Sequence, residues 1–272
     1  GEKRLNDLWQ YDPAKDFWLQ KADFPGVARS SAVAFDAAGK GYVTTGFDGL
    51  NKLKDTWEYD PGSNSWTQKA DFAGSARYDA VGFGIQDKGY VSTGFDGNYL
   101  KDFWQYDPTS DSWTQKVSMG GSKRSGAVAF VYQNKAYICT GINNGSNTTV
   151  NDLWMYDPAA DAWTEKRKIS NVSTDSYDDN YAIIRDNAAA FVMGDKAYVT
   201  TGENGSLLND TWEYDFATDL WVKKTAFEGS ARQGAVGFSV SDRGYVATGR
   251  NSTYAFDDIR EFHPSETYNA ND

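Results

Sequence analysis

RYDAVGFGIQDKGYVSTGFDGNYLKDFWQYDPTSDSWTQKV, residues 77–117, holds the organisation of the whole chain in one unit. Its landmarks are Arg77, Phe83 six positions on, Tyr90 seven after that and Gly94 four further, then Trp104 in a W-x-Y-D motif and Trp113 nine residues later. The first half recurs with the same spacing at Arg29, Phe35, Tyr42 and Gly46, at Arg124, Phe130, Tyr137 and Gly141, at Arg185, Phe191, Tyr198 and Gly202, and at Arg232, Phe238, Tyr245 and Gly249. The second half recurs at Trp9 and Trp18, Trp57 and Trp66, Trp154 and Trp163, and Trp212 and Trp221, so two slots account for all ten tryptophans. Spacing kept this strictly means one supersecondary unit repeated, and a repeat decides the fold before local propensity does.

Each unit reads as four strands. AVAF and GYVTTG are short apolar runs suited to buried inner strands, while DTWEYD and SWTQKA put aromatic residues on one face of outer strands. Turn signals fall between them: DAAGK or IQDK, then GFDG, then DPGSNS. A four-stranded sheet with large aromatics on its faces cannot bury them alone, and stacking such sheets radially does. The expected class is therefore all-β, a propeller of four-stranded antiparallel blades in a single domain over 1–272.

A glycine after the second strand with spaced Tyr and Trp beyond it resembles the kelch repeat, over nearly the whole chain. Kelch repeats usually carry a Gly-Gly doublet where this chain has Thr-Gly, as at Thr45-Gly46 and Thr93-Gly94. Threonine is a good strand residue, so the departure is expected to be harmless. The flavour of DLWQYDP and WLQKADFPG also resembles kelch proteins of bacterial cell envelopes, which implies an extracellular or envelope location. Five first and second strands are present, with a sixth third-strand segment, DIREFHP at 258–264, in which Arg260 stands in the Trp slot. Six blades with an incomplete N-terminal one, the chain starting in mid-repeat, is the favoured count. A five-bladed ring closed by residues 6–23 is the alternative.

Composition narrows the partners. A net charge of −11 and the absence of a Lys/Arg run argue against nucleic acid. The apolar runs are strand-length, so no transmembrane helix is expected. Cys139 is the only cysteine and occupies the slot of Thr44, Ser92, Thr200 and Ala247, as a buried filler would. No cofactor is expected, and the chain is expected to be a monomer.

Function is expected on the face where the second-to-third and blade-to-blade loops emerge. There lie the five repeat arginines, Arg29, Arg77, Arg124, Arg185 and Arg232, which either tie neighbouring blades together or form an anion-attracting funnel. Kelch adaptors of ubiquitin ligases use arginines on such a face for acidic peptides, and the resemblance implies a similar use. Residues that break the repeat there are Tyr78, Asp79, Asp186, Asn187 and Gln233 after the arginines, and Glu203 and Arg250 after the glycines. The spacing from second Trp to next Arg is 11 except between Trp163 and Arg185, where it is 22, so the 166–184 insertion is a further candidate rim. Tyr78, Tyr177 and Tyr181 are candidates for stacking on a sugar. The acidic stretch 175–180 raises calcium, without the usual loop grammar. The expected function is non-enzymatic recognition of a protein, peptide or glycan. Copper-radical oxidase chemistry of the galactose-oxidase type needs histidines that a chain with His263 alone lacks. A sialic-acid mutarotase needs only carboxylates and guanidinium groups, which Glu203, Arg250, Asp79 or Asp186 could supply; it is the alternative.

Overall fold

The computed structural model describes residues 4–145, 150–170, 181–264 and 266. It divides into two compact units, Gly1–Met119 and Gly120–Asp272. In the N-terminal unit β1 (Trp9–Asp12) pairs with β2 (Phe17–Gln20) as a two-stranded sheet. Two four-stranded blades follow: β3 (Val33–Ala37), β4 (Lys40–Thr44), β5 (Thr56–Asp60) and β6 (Ser65–Lys69), then β7 (Val81–Ile85), β8 (Lys88–Ser92), β9 (Phe103–Asp107) and β10 (Ser112–Lys116).

The C-terminal unit has two more: β11 (Val128–Tyr132), β12 (Lys135–Cys139), β13 (Leu153–Asp157) and β14 (Ala162–Lys166), then β15 (Ala189–Met193), β16 (Lys196–Thr200), β17 (Thr211–Asp215) and β18 (Leu220–Lys224). A three-stranded blade of β19 (Val236–Val240), β20 (Arg243–Ala247) and β21 (Ile259–Phe262) ends it. Every pairing is antiparallel between consecutive strands. The fold is an all-β propeller fold, and among the described residues no helix is long and apolar enough to cross a membrane.

Among the described residues the blades number five, which is the alternative count and corrects the favoured six. The N-terminal sheet β1–β2 has the two Trp-bearing strands and, among the described residues, no inner hairpin. Its Phe17, Trp18 and Leu19 are accordingly exposed, whereas Trp212 and Trp221 in the equivalent slots are buried. The third-strand place beside β20 is filled by β21, the 258–264 segment.

The repeat spacing follows from pairing. Seven residues between Phe and Tyr bring them directly opposite across the first hairpin, as Phe35 and Tyr42 or Phe191 and Tyr198. The rings stack at 5.1–5.5 Å in all five blades. In two places the next blade packs on that Phe through a glycine: a Cβ on Gly89 would stand 2.0 Å from Phe35, and one on Gly244 2.2 Å from Phe191. The Tyr of W-x-Y-D closes its own hairpin, Tyr106 donating to Asp111 at 2.7 Å and Tyr214 to Asp219 at 2.6 Å.

Candidate functional site

Each repeat arginine stands at the entrance to an innermost strand and turns inward. The side chains of Arg77, Arg124 and Arg185 are fully buried, and those of Arg29 and Arg232 nearly so. Nη1 donates to the carbonyl of the threonine before the repeat glycine in every copy: Thr45 at 2.9 Å, Thr93 at 3.0 Å, Thr140 at 3.2 Å, Thr201 at 3.0 Å and Thr248 at 2.8 Å.

The rest of the fork meets a carboxylate. Arg29 holds Asp55 at 2.7 and 2.6 Å and Arg77 holds Asp102 at 2.6 and 2.7 Å, both bidentate. Arg124 pairs with Asp152, Arg185 with Asp210 at 2.9 Å, and Arg232 with Asp258. The same aspartate accepts the indole N–H of the Trp two residues on, from Trp57, Trp104, Trp154 and Trp212 at 2.7–2.9 Å. Phe24, Phe72 and Phe227 lie under Arg29, Arg77 and Arg232 at 4.8–4.9 Å.

Arg29, Arg77 and Arg232 are bidentate and stacked, and Arg124 and Arg185 are buried and paired with an aspartate, so each guanidinium is held within its own blade, in line with the structural reading of the repeat arginines rather than the ligand-binding one. Burial pushes the Asp102 carboxyl up, but the hydrogen bonds and charge of Arg77 outweigh it and hold it below the usual carboxylate range. The missed partner was legible, since an aspartate stands two residues before every third-strand landmark: Asp7, Asp55, Asp102, Asp152, Asp210 and Asp258.

The threonine is the second correction. Its φ is +60 to +62° in all five copies, left-handed rather than extended, because its carbonyl must turn onto the arginine. The following glycine is also at positive φ, and a Cβ on Gly202 would stand 2.5 Å from the Asp186 carbonyl. Its N–H crosses to the next blade, Gly46 to the Arg77 carbonyl at 2.8 Å and Gly202 to that of Arg232 at 2.7 Å.

This framework fixes a two-residue bridge at the same place in each blade. The residue after the arginine and the residue after the glycine exchange backbone hydrogen bonds in both directions at 2.9–3.2 Å. The pairs are Ser30 with Phe47, Tyr78 with Phe95, Ser125 with Ile142, Asp186 with Glu203, and Gln233 with Arg250. The backbone is repeated five times and no two pairs carry the same side chains.

Most of the repeat-breaking candidates fall on these bridges. In the C-terminal unit Gln233 Nε2 donates to Glu203 Oε2 at 2.9 Å, and Asn187 Nδ2 reaches Asp186 Oδ2 at 3.3 Å and Gln233 Oε1 at 3.4 Å. Asp186 is buried, Glu203, Asn187 and Gln233 are half-buried, and Arg250 is exposed. Asp186, Asn187, Glu203 and Gln233 thus form one polar cluster, to which Arg250 belongs through its bridge with Gln233.

Asp79 and Asn187 have a backbone reason as well. They occupy a left-handed position, φ 51° and 50°, where the sibling blades have Ser31, Gly126 and Gly234. Asn187 N donates to the Gly126 carbonyl at 2.9 Å and Gly234 N to that of Asn187 at 2.8 Å, stitching blade to blade. Tyr78 and Asp79 lie in the N-terminal unit, in a row of half-buried rings: Phe47 to Tyr78 at 5.5 Å, Tyr78 to Phe95 at 5.7 Å and Phe95 to Tyr99 at 5.2 Å.

Tyr181 is no exposed stacking platform; it is buried, and its hydroxyl accepts from Trp221 N at 3.3 Å. Tyr177, the 175–180 stretch and most of the 166–184 insertion lie outside the described residues. Among the described residues no group of three or more His, Cys, Asp or Glu could hold a metal ion. Cys139 is fully buried, and burial pushes its thiol up to about 12, so it stays protonated. A cleft of about 320 Å³ between Thr225–Glu228 and Ile259–His263 brings none of the candidates together.

The family model described as Kelch motif matches residues 78–120 and 123–168. Those residues carry kelch motifs, and the fold is a β-propeller. The solved structure of YjhT resembles it with a TM-score of 0.67 and 20% identity, over 83% of this chain and 73% of that one, a likeness of fold. A search of curated protein sequences gave no match.

Proposed function

We propose that this kelch propeller is a non-enzymatic recognition module whose ligand, a protein, peptide or glycan, is read by the side chains at the bridge positions. One observation carries the reading: the bridge backbone is the same in five blades while no two blades carry the same pair of side chains. A position whose backbone is fixed by buried partners can change side chain without cost to the fold, and such variation on a rigid platform is how repeat scaffolds acquire a ligand. In the C-terminal unit the cluster of Asp186, Asn187, Glu203, Gln233 and Arg250 offers both donors and acceptors, suited to hydroxyls or peptide groups. An extracellular or envelope setting belongs to the proposal and is checked by fractionating the host.

The test borrows residues the fold already holds in the sibling slots. Gln233→Ser and Glu203→Ile copy Ser125 and Ile142. On glycan and peptide arrays the double variant is expected to lose the parent's ligands with an unchanged melting temperature. Retention of every ligand overturns the assignment.

The pairing of Asp186 with Glu203 beside Gln233 and Arg250 supports a second reading, acid/base catalysis of the mutarotase type. Exchange between the anomers of a reducing acidic sugar, followed by magnetisation transfer, decides it. Acceleration that disappears in Glu203→Gln favours catalysis, and a background rate in the parent removes it.

A further inference from the structure

The aromatic row of the N-terminal unit is chemically unlike the polar cluster, and one end of it carries an arginine of the chain itself. The Arg4 guanidinium lies 5.3 Å over the Phe47 ring, anchored by Nε to the Phe47 carbonyl at 3.0 Å and to Ser30 Oγ at 3.3 Å. Beyond Phe47 the row continues through Tyr78, Phe95 and Tyr99, all half-buried and each within 5.7 Å of the next. Carboxylates adjoin it in sequence. Asp48 and Asp96 sit one residue after Phe47 and Phe95, and each is held ionised: Asp48 chiefly by the backbone N–H groups of Asn51 and Leu50, Asp96 by Ser75 and Asn98 against its burial. Asp79 follows Tyr78 directly, and burial, followed by the charge of Asp79, raises the pKa of the Tyr78 hydroxyl.

We propose that the Tyr78, Phe95 and Tyr99 rings are a docking site for the guanidinium of an arginine in a basic peptide. The inference deepens the reading of the bridges as a recognition surface and rests on it. Three observations favour this occupant. The chain itself lays an arginine on the first ring of the row. A ring face beside carboxylates attracts a cation that stacks flat, which guanidinium does better than ammonium. The net charge of −11 draws basic ligands toward the molecule.

The probe is a short acetylated peptide with two arginines between glycines, its citrulline counterpart, which has the same shape without the charge, and a neutral oligosaccharide. Tyr78→Ser and Phe95→Ile leave the charge unaltered and install residues that Ser30, Ser125 and Ile142 already place in these slots. Titration of the parent is expected to favour the arginine peptide over citrulline, and the double variant to bind it about fivefold more weakly or worse. Arginine binding that is equal in parent and variant overturns the proposal as mere attraction to an acidic surface. Oligosaccharide binding lost in the variant, with no arginine preference in the parent, overturns it in favour of sugar stacking. Array ligands lost in the Glu203→Ile variant alongside undiminished arginine binding in Tyr78→Ser sink this site alone. No response in either unit sinks the bridge reading itself.

Discussion

The two units set different chemistry on the same frame. In the N-terminal unit the bridges hold Ser30, Phe47, Tyr78 and Phe95, a largely aromatic set; in the C-terminal unit they hold Ser125, Ile142, Asp186, Glu203, Gln233 and Arg250, mostly polar. The backbone hydrogen bonds beneath them agree to within a few tenths of an ångström. The difference separates two kinds of irregularity. Where a residue type recurs, as the arginines do, it is consumed by the frame. Where the backbone recurs and the residue type does not, the frame does not dictate the side chain.

The sharpest way to break this comparison uses neighbours in the chain. Arg77 is fully buried on Asp102, while Tyr78 beside it is a bridge residue. Arg77→Ala leaves Asp102 without its counter-ion and is expected to cost about 3–5 kcal/mol in urea unfolding. Tyr78→Ser is expected to cost less than about 1 kcal/mol, since its sibling slots already hold serine. Equal losses would mean that frame and bridge are not distinct.

The same pairs make a pH prediction. The carboxyls of Asp55, Asp102 and Asp258 are lowered by their arginines; burial is the largest influence on the first two and opposes the shift, while for Asp258 the Arg232 hydrogen bond leads. A lowered folded value contributes stability that is complete above the unfolded value, about 3.9, and is lost as pH falls through the folded one. Urea midpoints are expected to hold from neutrality to about pH 5 and drop below about pH 4. In Asp102→Asn the drop should be shallower, and an unchanged slope would show that other carboxylates govern acid unfolding.

Much of the frame was legible because its signals are periodic. Phe, Tyr and Trp spacing specified the strands, and the register and the stacked pair came with the structure, where strand pairing converts that spacing into contact. The arginine's partner was not read, because Arg29 and Asp55 are 26 residues apart and meet only once the first and third strands share a sheet. Left-handed residues were missed for a related reason. Nothing in the propensity of threonine announces φ near +60°, and Asp79 and Asn187 read as functional deviations until Gly126 and Gly234 show the conformation they share. Within the site, Glu203, Gln233 and Asp186 were picked by their departure from the repeat, and the fold does bring them together.

The smallest expected effect returns to the two units through that threonine. All five copies carry the same left-handed φ, yet Thr140 and Thr201 in the C-terminal unit accept the N–H of Val128 at 3.2 Å and Ala189 at 3.3 Å on Oγ1, while the buried hydroxyls of Thr45 and Thr93 have no partner in the protein. Replacing threonine by glycine relieves about 1 kcal/mol of backbone strain and gives up a similar amount of methyl burial. These offset each other at either site, so the hydroxyl decides the sign. Thr93→Gly is expected to lie within about 0.5 kcal/mol of the parent, and Thr140→Gly about 1 kcal/mol below it. Equilibrium unfolding of the two variants side by side reads the difference. Equal values would mean that the hydroxyls stand in equivalent surroundings and that the units differ only at their bridges.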